Sequence, residues 1–172
     1  MDDLSRDLID RCVLPFYLSL MRTNASGRGF DLDRLAAVSA ETTNDEVIAL
    51  LRSDWRPRVM GAWLSIGRTT EPVTTALLDS IETSQGSLTA PPLAVAAILN
   101  VPGLALPSLL AYVEKDREHH WGAASFVDAA IAHIGESSES AGIEPQDRAS
   151  LTHMLDVAAD MARAFQPRRS AR

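Results

Sequence analysis

Three times along this chain a leucine pair is followed, after a short corner, by a second apolar helical stretch. The pairs are Leu50–Leu51, Leu77–Leu78 and Leu109–Leu110, spaced 27 and then 32 residues apart. The second stretches close at Ile66–Gly67, Leu99–Asn100 and Ile134–Gly135, spaced 33 and then 35 residues apart. A unit of two helices and a corner cannot bury its apolar faces alone, so neighbouring units must stack. The pattern predicts an all-α chain, a short α-solenoid of antiparallel helix pairs over 44–135. An irregular helical bundle is the competing arrangement, because any Ala- and Leu-rich helical chain can produce such spacings.

The corners carry their own signals. "TNDE" at Thr43–Glu46 reads as a capping box, with the apolar run Val47, Ile48, Leu50 and Leu51 behind it. That helix should end near Ser53. Asp54 is then the expected N-cap of the next, with Pro57 in a first turn that tolerates its missing N–H. Trp55, Val59, Ala62, Trp63 and Ile66 form its apolar stripe. Thr89, followed by Pro91 and Pro92, predicts the second such start, and the third is expected near His119.

The flanks complete a single domain over 1–166. In the N-terminal segment, 1–43, Leu4, Leu8, Ile9, Cys12 and Val13 recur at helical spacing until Pro15 interrupts, so a kinked helix or two short ones are expected. "TNASGRG" reads as a loop and "FDLDRLAAVSA" as a short helix or turn. A loop is expected over 136–144. Pro145 then opens a last helix to 166, with Leu151, Met154, Leu155, Ala158, Met161, Ala162 and Phe165 on one stripe, expected to cap the open end of the stack. The basic tail 167–172 is expected to be disordered.

Charge narrows the function classes. The formal net charge is -7, opposite to what phosphate contacts require of a general nucleic-acid binder. Residues 1–70 are nearly neutral, with nine arginines against ten acids, so the acidity lies in the later part. Lys115 is the lone lysine among 16 basic residues, which points to a GC-rich bacterial genome. Cys12 is the single cysteine, so no internal disulfide can form. The acidic start "MDDLSRDLID" lacks a secretory pattern, and no apolar run reaches the length of a membrane span. The expected location is cytoplasmic.

The paired-helix pattern over 44–135 resembles HEAT-like repeats. A narrower likeness rests on "YLSLMRTN" at Tyr17–Asn24 and "LLRSDWRPRVMGAW" at Leu50–Trp63. Together they resemble a bacterial domain-of-unknown-function family, numbered 6000, with a Tyr-Leu opening and a Trp-Arg-x-Arg corner. Tyr17, Leu18, Asn24, Trp55, Arg56, Arg58, Ala62 and Trp63 are the matching positions. The later corners, "TAPPLAV" and "HHWGAAS", depart from that pattern. The resemblance implies architecture and no particular activity.

The strongest local feature is the arginine group Arg52, Arg56, Arg58 and Arg68, set in an acidic chain. On a helix, Arg58, Gly61, Ser65 and Arg68 share a face, and small residues between arginines would admit a partner bearing acidic groups. The alternative is that these arginines brace neighbouring helices, with Arg56 stacked on Trp55 or Trp63. Glu114, Asp116, Glu118, His119 and His120 read as a solvated corner, since no metal-binding motif frames them. His153 reads as a boundary residue beside the last stripe. Cys12 reads as a small core residue, and the serines lack a nucleophile elbow. "NASGRG" has no lysine or preceding strand, so it is no phosphate loop.

No catalytic residue, cofactor or metal is therefore expected. The reading is a noncatalytic module that binds another protein through Arg52, Arg56, Arg58 and Arg68, with a bacterial immunity-type or regulatory adaptor as its concrete form. The alternative is a HEAT-like DNA-binding or DNA-glycosylase-type protein, which would need a basic groove with a buried acid near aromatics.

Overall fold

A computed structural model describes residues 4–135 and 142–166, and they contain helices and no strand. Helix α1 (Arg6–Leu8) runs into a π turn (Ile9–Val13), and α2 (Tyr17–Leu20) follows beyond Pro15. The stretch expected to be an open loop forms a 3₁₀ turn (Asn24–Gly27) closed by Arg28 at φ 53°. Then come α3 (Leu32–Glu41), α4 (Asn44–Leu51), α5 (Trp55–Leu64), α6 (Glu71–Thr83) and α7 (Ala90–Asn100). Helices α8 (Pro102–His119), α9 (Ala124–Ile134) and α10 (Pro145–Ala164) complete the chain. Residues 136–141 of the expected 136–144 loop, and the expected tail 167–172, lie outside the described residues.

Helix starts follow from which N–H groups exist to be capped. At α4 the capping box is complete: Thr43 Oγ1 accepts from the Glu46 N–H at 3.2 Å, and Glu46 Oε2 accepts from the Thr43 N–H at 2.7 Å. Asp54 has the extended backbone of an N-cap before α5, yet its side chain accepts no capping hydrogen bond. The reason lies in the sequence. A capping oxygen reaches the N–H of the second or third helical residue, and the third residue of α5 is Pro57. In α7 both positions are proline, Pro91 and Pro92, so the Thr89 hydroxyl is left to pair with Ser84 Oγ instead.

Helices α4, α6 and α8 pack side by side, and so do α5, α7 and α9, while α4 also packs on α5, α6 on α7 and α8 on α9. Between α4 and α5 the approach is close. A Cβ added at Gly61 would stand 2.7 Å from the Leu51 backbone nitrogen, so only glycine lets these backbones meet. Helix α7 sits against α5, α6, α8, α9 and α10, and its residues Ala90–Ile98 are all buried. A helix surrounded this way needs apolar side chains on every face and small ones where neighbours press in, which "APPLAVAAIL" supplies.

Helix α10 packs on α7 and α9, on the 3₁₀ turn and on α3. Its buried stripe of Leu151, Met154, Val157, Ala158 and Met161 needs an apolar bed along much of its length. Arg28 of the 3₁₀ turn then bonds Asp160 at 2.6 Å, tying chain segments 132 residues apart. The Arg163 guanidinium shares the same carboxylate.

The third corner differs from the expectation. His119 ends α8 rather than opening α9, and His120 takes a left-handed φ of 54°. Helix α9 begins at Ala124, and Ala123 offers it no side-chain cap. Its cap comes from the helix before. The Asp116 carboxylate accepts from the backbone N–H groups of Gly122 at 3.2 Å, Ala123 at 2.9 Å and Ala124 at 3.1 Å. It also accepts from the Tyr112 hydroxyl at 2.9 Å. Asp116 is therefore a buried keystone of the corner and not part of a solvated one.

Candidate interaction site at the α4–α5 corner

The four arginines of the α4–α5 region separate into two environments. Arg68, just past α5, directs its guanidinium inward. Nε donates to the Leu64 carbonyl at 2.9 Å, Nη1 to Asn44 Oδ1 at 2.8 Å, and Nη2 to the Ser39 and Thr42 carbonyls at 2.7 and 2.8 Å. It joins the ends of α3 and α5 to the start of α4. The face expected to run from Arg58 through Gly61 and Ser65 to Arg68 is not open to a partner. Gly61 and Ser65 are buried, and the small residue at Gly61 admits α4.

Beside this brace lies a second one. Arg11 Nη2 meets Glu46 Oε1 at 2.7 Å and its Nη1 donates to Thr42 Oγ1 at 3.0 Å. Burial works against the Glu46 carboxylate, but the Thr43 hydrogen bonds and Arg11 outweigh it and hold the group below its ordinary value. Cys12, with its sulfur 3.5 Å from Thr42 Oγ1, is buried here, and burial pushes its thiol up. That suppresses the thiolate and fits a packing role.

Replacing Arg68 with alanine should cost about 2–4 kcal/mol, since carbonyls at Ser39, Thr42 and Leu64 lose a charged donor together. Urea unfolding measures it. A loss within about 0.5 kcal/mol, the usual range for a surface change, would show that water replaces the guanidinium freely.

Arg58 is intermediate. It is partly buried, and its Nε is shielded from solvent without a hydrogen-bond partner. Burial lowers its basicity, and Asp54 one turn earlier opposes that shift.

Arg52 and Arg56 are exposed, and neither forms an ion pair among the described residues. The Arg56 guanidinium carbon lies 4.2 Å from the Trp55 ring centre and 5.5 Å from that of Tyr17. Tyr17 and Trp55 meet edge to face, with centroids 5.9 Å apart. Packing of α2 on α5 builds this cluster, because it brings Tyr17 over the first turn of α5. Trp63, two turns on, fixes the same joint by donating from Nε1 to the Leu20 carbonyl at 2.8 Å. Leu14 and Leu18 flank Tyr17 in sequence and are 55% and 59% exposed, unusually open for leucines.

No protein-family model, curated protein or solved structure matches this chain. Of the residues carrying the narrower family resemblance, Tyr17, Trp55 and Arg56 meet in one cluster, while Asn24 Nδ2 donates to the Leu18 carbonyl at 2.7 Å. Tyr17 and Leu14 were not singled out as site residues from sequence, since their neighbours in space lie on another helix.

Elsewhere, a mostly polar cleft of about 330 Å³ opens between Arg22, Ser87, Phe126 and Asp147. A more apolar one of about 450 Å³ lies between Thr42, Ile66, Ala162 and Phe165. The first carries both signs of charge. Among the described residues, no group of three or more His, Cys, Asp or Glu is placed to hold a metal ion. No described helix is long and apolar enough to cross a membrane.

Proposed function

We propose that this chain is a noncatalytic protein-binding module, built as a short HEAT-like array of antiparallel helix pairs. The pairs are α4 with α5, α6 with α7, and α8 with α9. Their side-by-side packing in two rows supports the array reading, as does the recurrence of the leucine pairs. Membership of the domain-of-unknown-function family numbered 6000 belongs to the same proposal. So does the concrete form, a cytoplasmic bacterial immunity-type or regulatory adaptor.

One observation carries the binding role: exposed Arg56 lies over half-buried Trp55 and Tyr17, with exposed Arg52 at the C-cap of the preceding helix. Tyr, Trp and Arg are the residues that dominate binding energy at protein interfaces. Here they stand together on a corner, held by packing beneath them. Of the four arginines expected to bind, Arg52 and Arg56 serve this reading. Arg58 lies at its margin, and Arg68 has its donors turned to the chain's own carbonyls.

A DNA-glycosylase-type reading needs a carboxylate near the aromatic and basic residues. The buried carboxylate here, Asp116, lies at the α8–α9 corner and is occupied by backbone N–H groups.

The test uses the wild-type chain and its Arg52→Glu/Arg56→Glu variant as parallel baits in host-cell extract. Some protein should be retained by the wild type and depleted about tenfold or more on the variant, as expected when interface anchors are lost. Melting temperatures should agree. Indistinguishable retained sets from two equally stable baits would reject the reading.

A further inference from the structure

The Tyr17–Trp55–Arg56 cluster also constrains what kind of partner it can hold. Arg56 is exposed, its guanidinium carbon lies over the Trp55 ring, and its N–H groups make no hydrogen bond among the described residues. Those donors match the two oxygens of a carboxylate in a planar fork. No acid of the chain takes that place among the described residues, although the chain holds 23 of them. Asp54, the nearest acid in sequence, forms no ion pair with either arginine. Arg52, at the C-cap of α4, adds a second unpaired cation to the same corner. The apolar component is supplied by Leu14 and Leu18, both more than half exposed.

We propose that this corner docks an acidic segment of a partner protein. Carboxylates of that segment fork onto Arg56 and Arg52, and an apolar side chain between them rests on Leu18 and Leu14. The proposal rests on the protein-binding reading above and specifies the chemistry of the partner. Charge complementarity selects this occupant over two others. A nucleic acid could stack on the aromatic rings, but it needs a run of cations along its backbone, and this corner offers two exposed, unpaired ones among the described residues, Arg52 and Arg56. A second copy pairing through the same patch would set one cationic patch against another, because a two-fold interface uses the same surface on both subunits.

The experiment uses the full chain and three fluorescent probes. The first is a short synthetic peptide with a leucine pair flanked by glutamates. The second is the same peptide with glutamine for every glutamate, and the third is single-stranded oligothymidylate. Anisotropy titrations are run at low and at physiological salt on wild type, Arg52→Gln/Arg56→Gln and Leu14→Ser/Leu18→Ser. The glutamate peptide should bind about tenfold or more tightly than the glutamine peptide, and salt should narrow the gap. The arginine variant should lose that preference while melting as wild type does. The leucine variant should weaken both peptides while keeping their ratio.

Equal binding of the two peptides would overturn the proposal, as would no binding of either or a preference for the oligonucleotide. The two proposals fail separately. Patch-dependent capture from extract with no glutamate preference would leave a protein-binding corner whose partner is not acidic. Concentration-dependent self-association lost in the arginine variant would identify a second copy as the occupant and overturn the acidic-segment assignment.

Discussion

Replacing Asp116 with alanine should destabilise the fold by about 3–5 kcal/mol, the range expected when several buried donors lose one charged acceptor. Asp116 is 2% exposed and its carboxylate accepts four hydrogen bonds, three from the backbone of Gly122, Ala123 and Ala124 leading into α9 and one from Tyr112. Without it, three backbone N–H groups at the start of a helix have no acceptor, and a folded protein rarely leaves such groups unpaired. The Tyr112 hydroxyl, with one proton to donate, would turn it to the Gly86 carbonyl 3.1 Å away. In the intact protein, burial and then the neighbouring Asp116 charge push the Tyr112 phenol well above its ordinary value, so it stays a donor. Urea unfolding gives the loss directly. Asp116→Asn keeps the volume and one acceptor oxygen, so it should fall between wild type and alanine. An alanine variant within about 1 kcal/mol of wild type would mean that water enters and caps α9 in its place.

Trp63→Ala should cost about 3–5 kcal/mol, the range for removing a large buried aromatic. Trp63 is fully buried between α5 and the N-terminal segment, and its indole N–H reaches the Leu20 carbonyl. The loss therefore combines a cavity with an orphaned acceptor. Trp63→Phe separates the two, because it keeps most of the volume and removes the donor. About 1–2 kcal/mol of the total should remain in that variant. A loss under about 1 kcal/mol for alanine would show that the N-terminal segment can leave α5 at little cost.

Local chemistry was readable from the sequence wherever the interacting groups are close in the chain. Thr43 and Glu46 are three residues apart, and the capping box stands as spaced. Pro57, Pro91 and Pro92 mark helix starts because proline fits first turns. Of the stripe expected through Trp55, Val59, Ala62, Trp63 and Ile66, all but half-buried Trp55 are buried, although Met60, Gly61, Leu64 and Ser65 between them are buried as well. The start of α9 was not readable, because its cap comes from Asp116 on the preceding helix. From sequence, Asp116 resembles the exposed acids around it, Glu114 and Glu118. The sharing of roles among the arginines was hidden for a different reason. Arg68 binds carbonyls of Ser39 and Thr42, and a carbonyl leaves no mark in a sequence because every residue carries one. The Tyr17–Trp55 contact depends on how α2 lies on α5, which no spacing encodes.

The course of α10 sets a limit on how such a chain can grow. Its Glu144 N–H bonds Ser125 at the start of α9, Asp160 bonds Arg28, and its last residues line a cleft with Ile66 at the end of α5. With 20 residues it measures about 30 Å, close to three helix diameters placed side by side. An open stack can lengthen by duplicating an internal pair, because each unit meets only its neighbours. If the helix pairs form the proposed array, a duplicated pair would push the two anchor points of α10 apart by roughly 10 Å, and about seven further residues of helix would have to arise with it. In that array the last helix is a ruler, and the number of pairs and the length of that ruler can change only together.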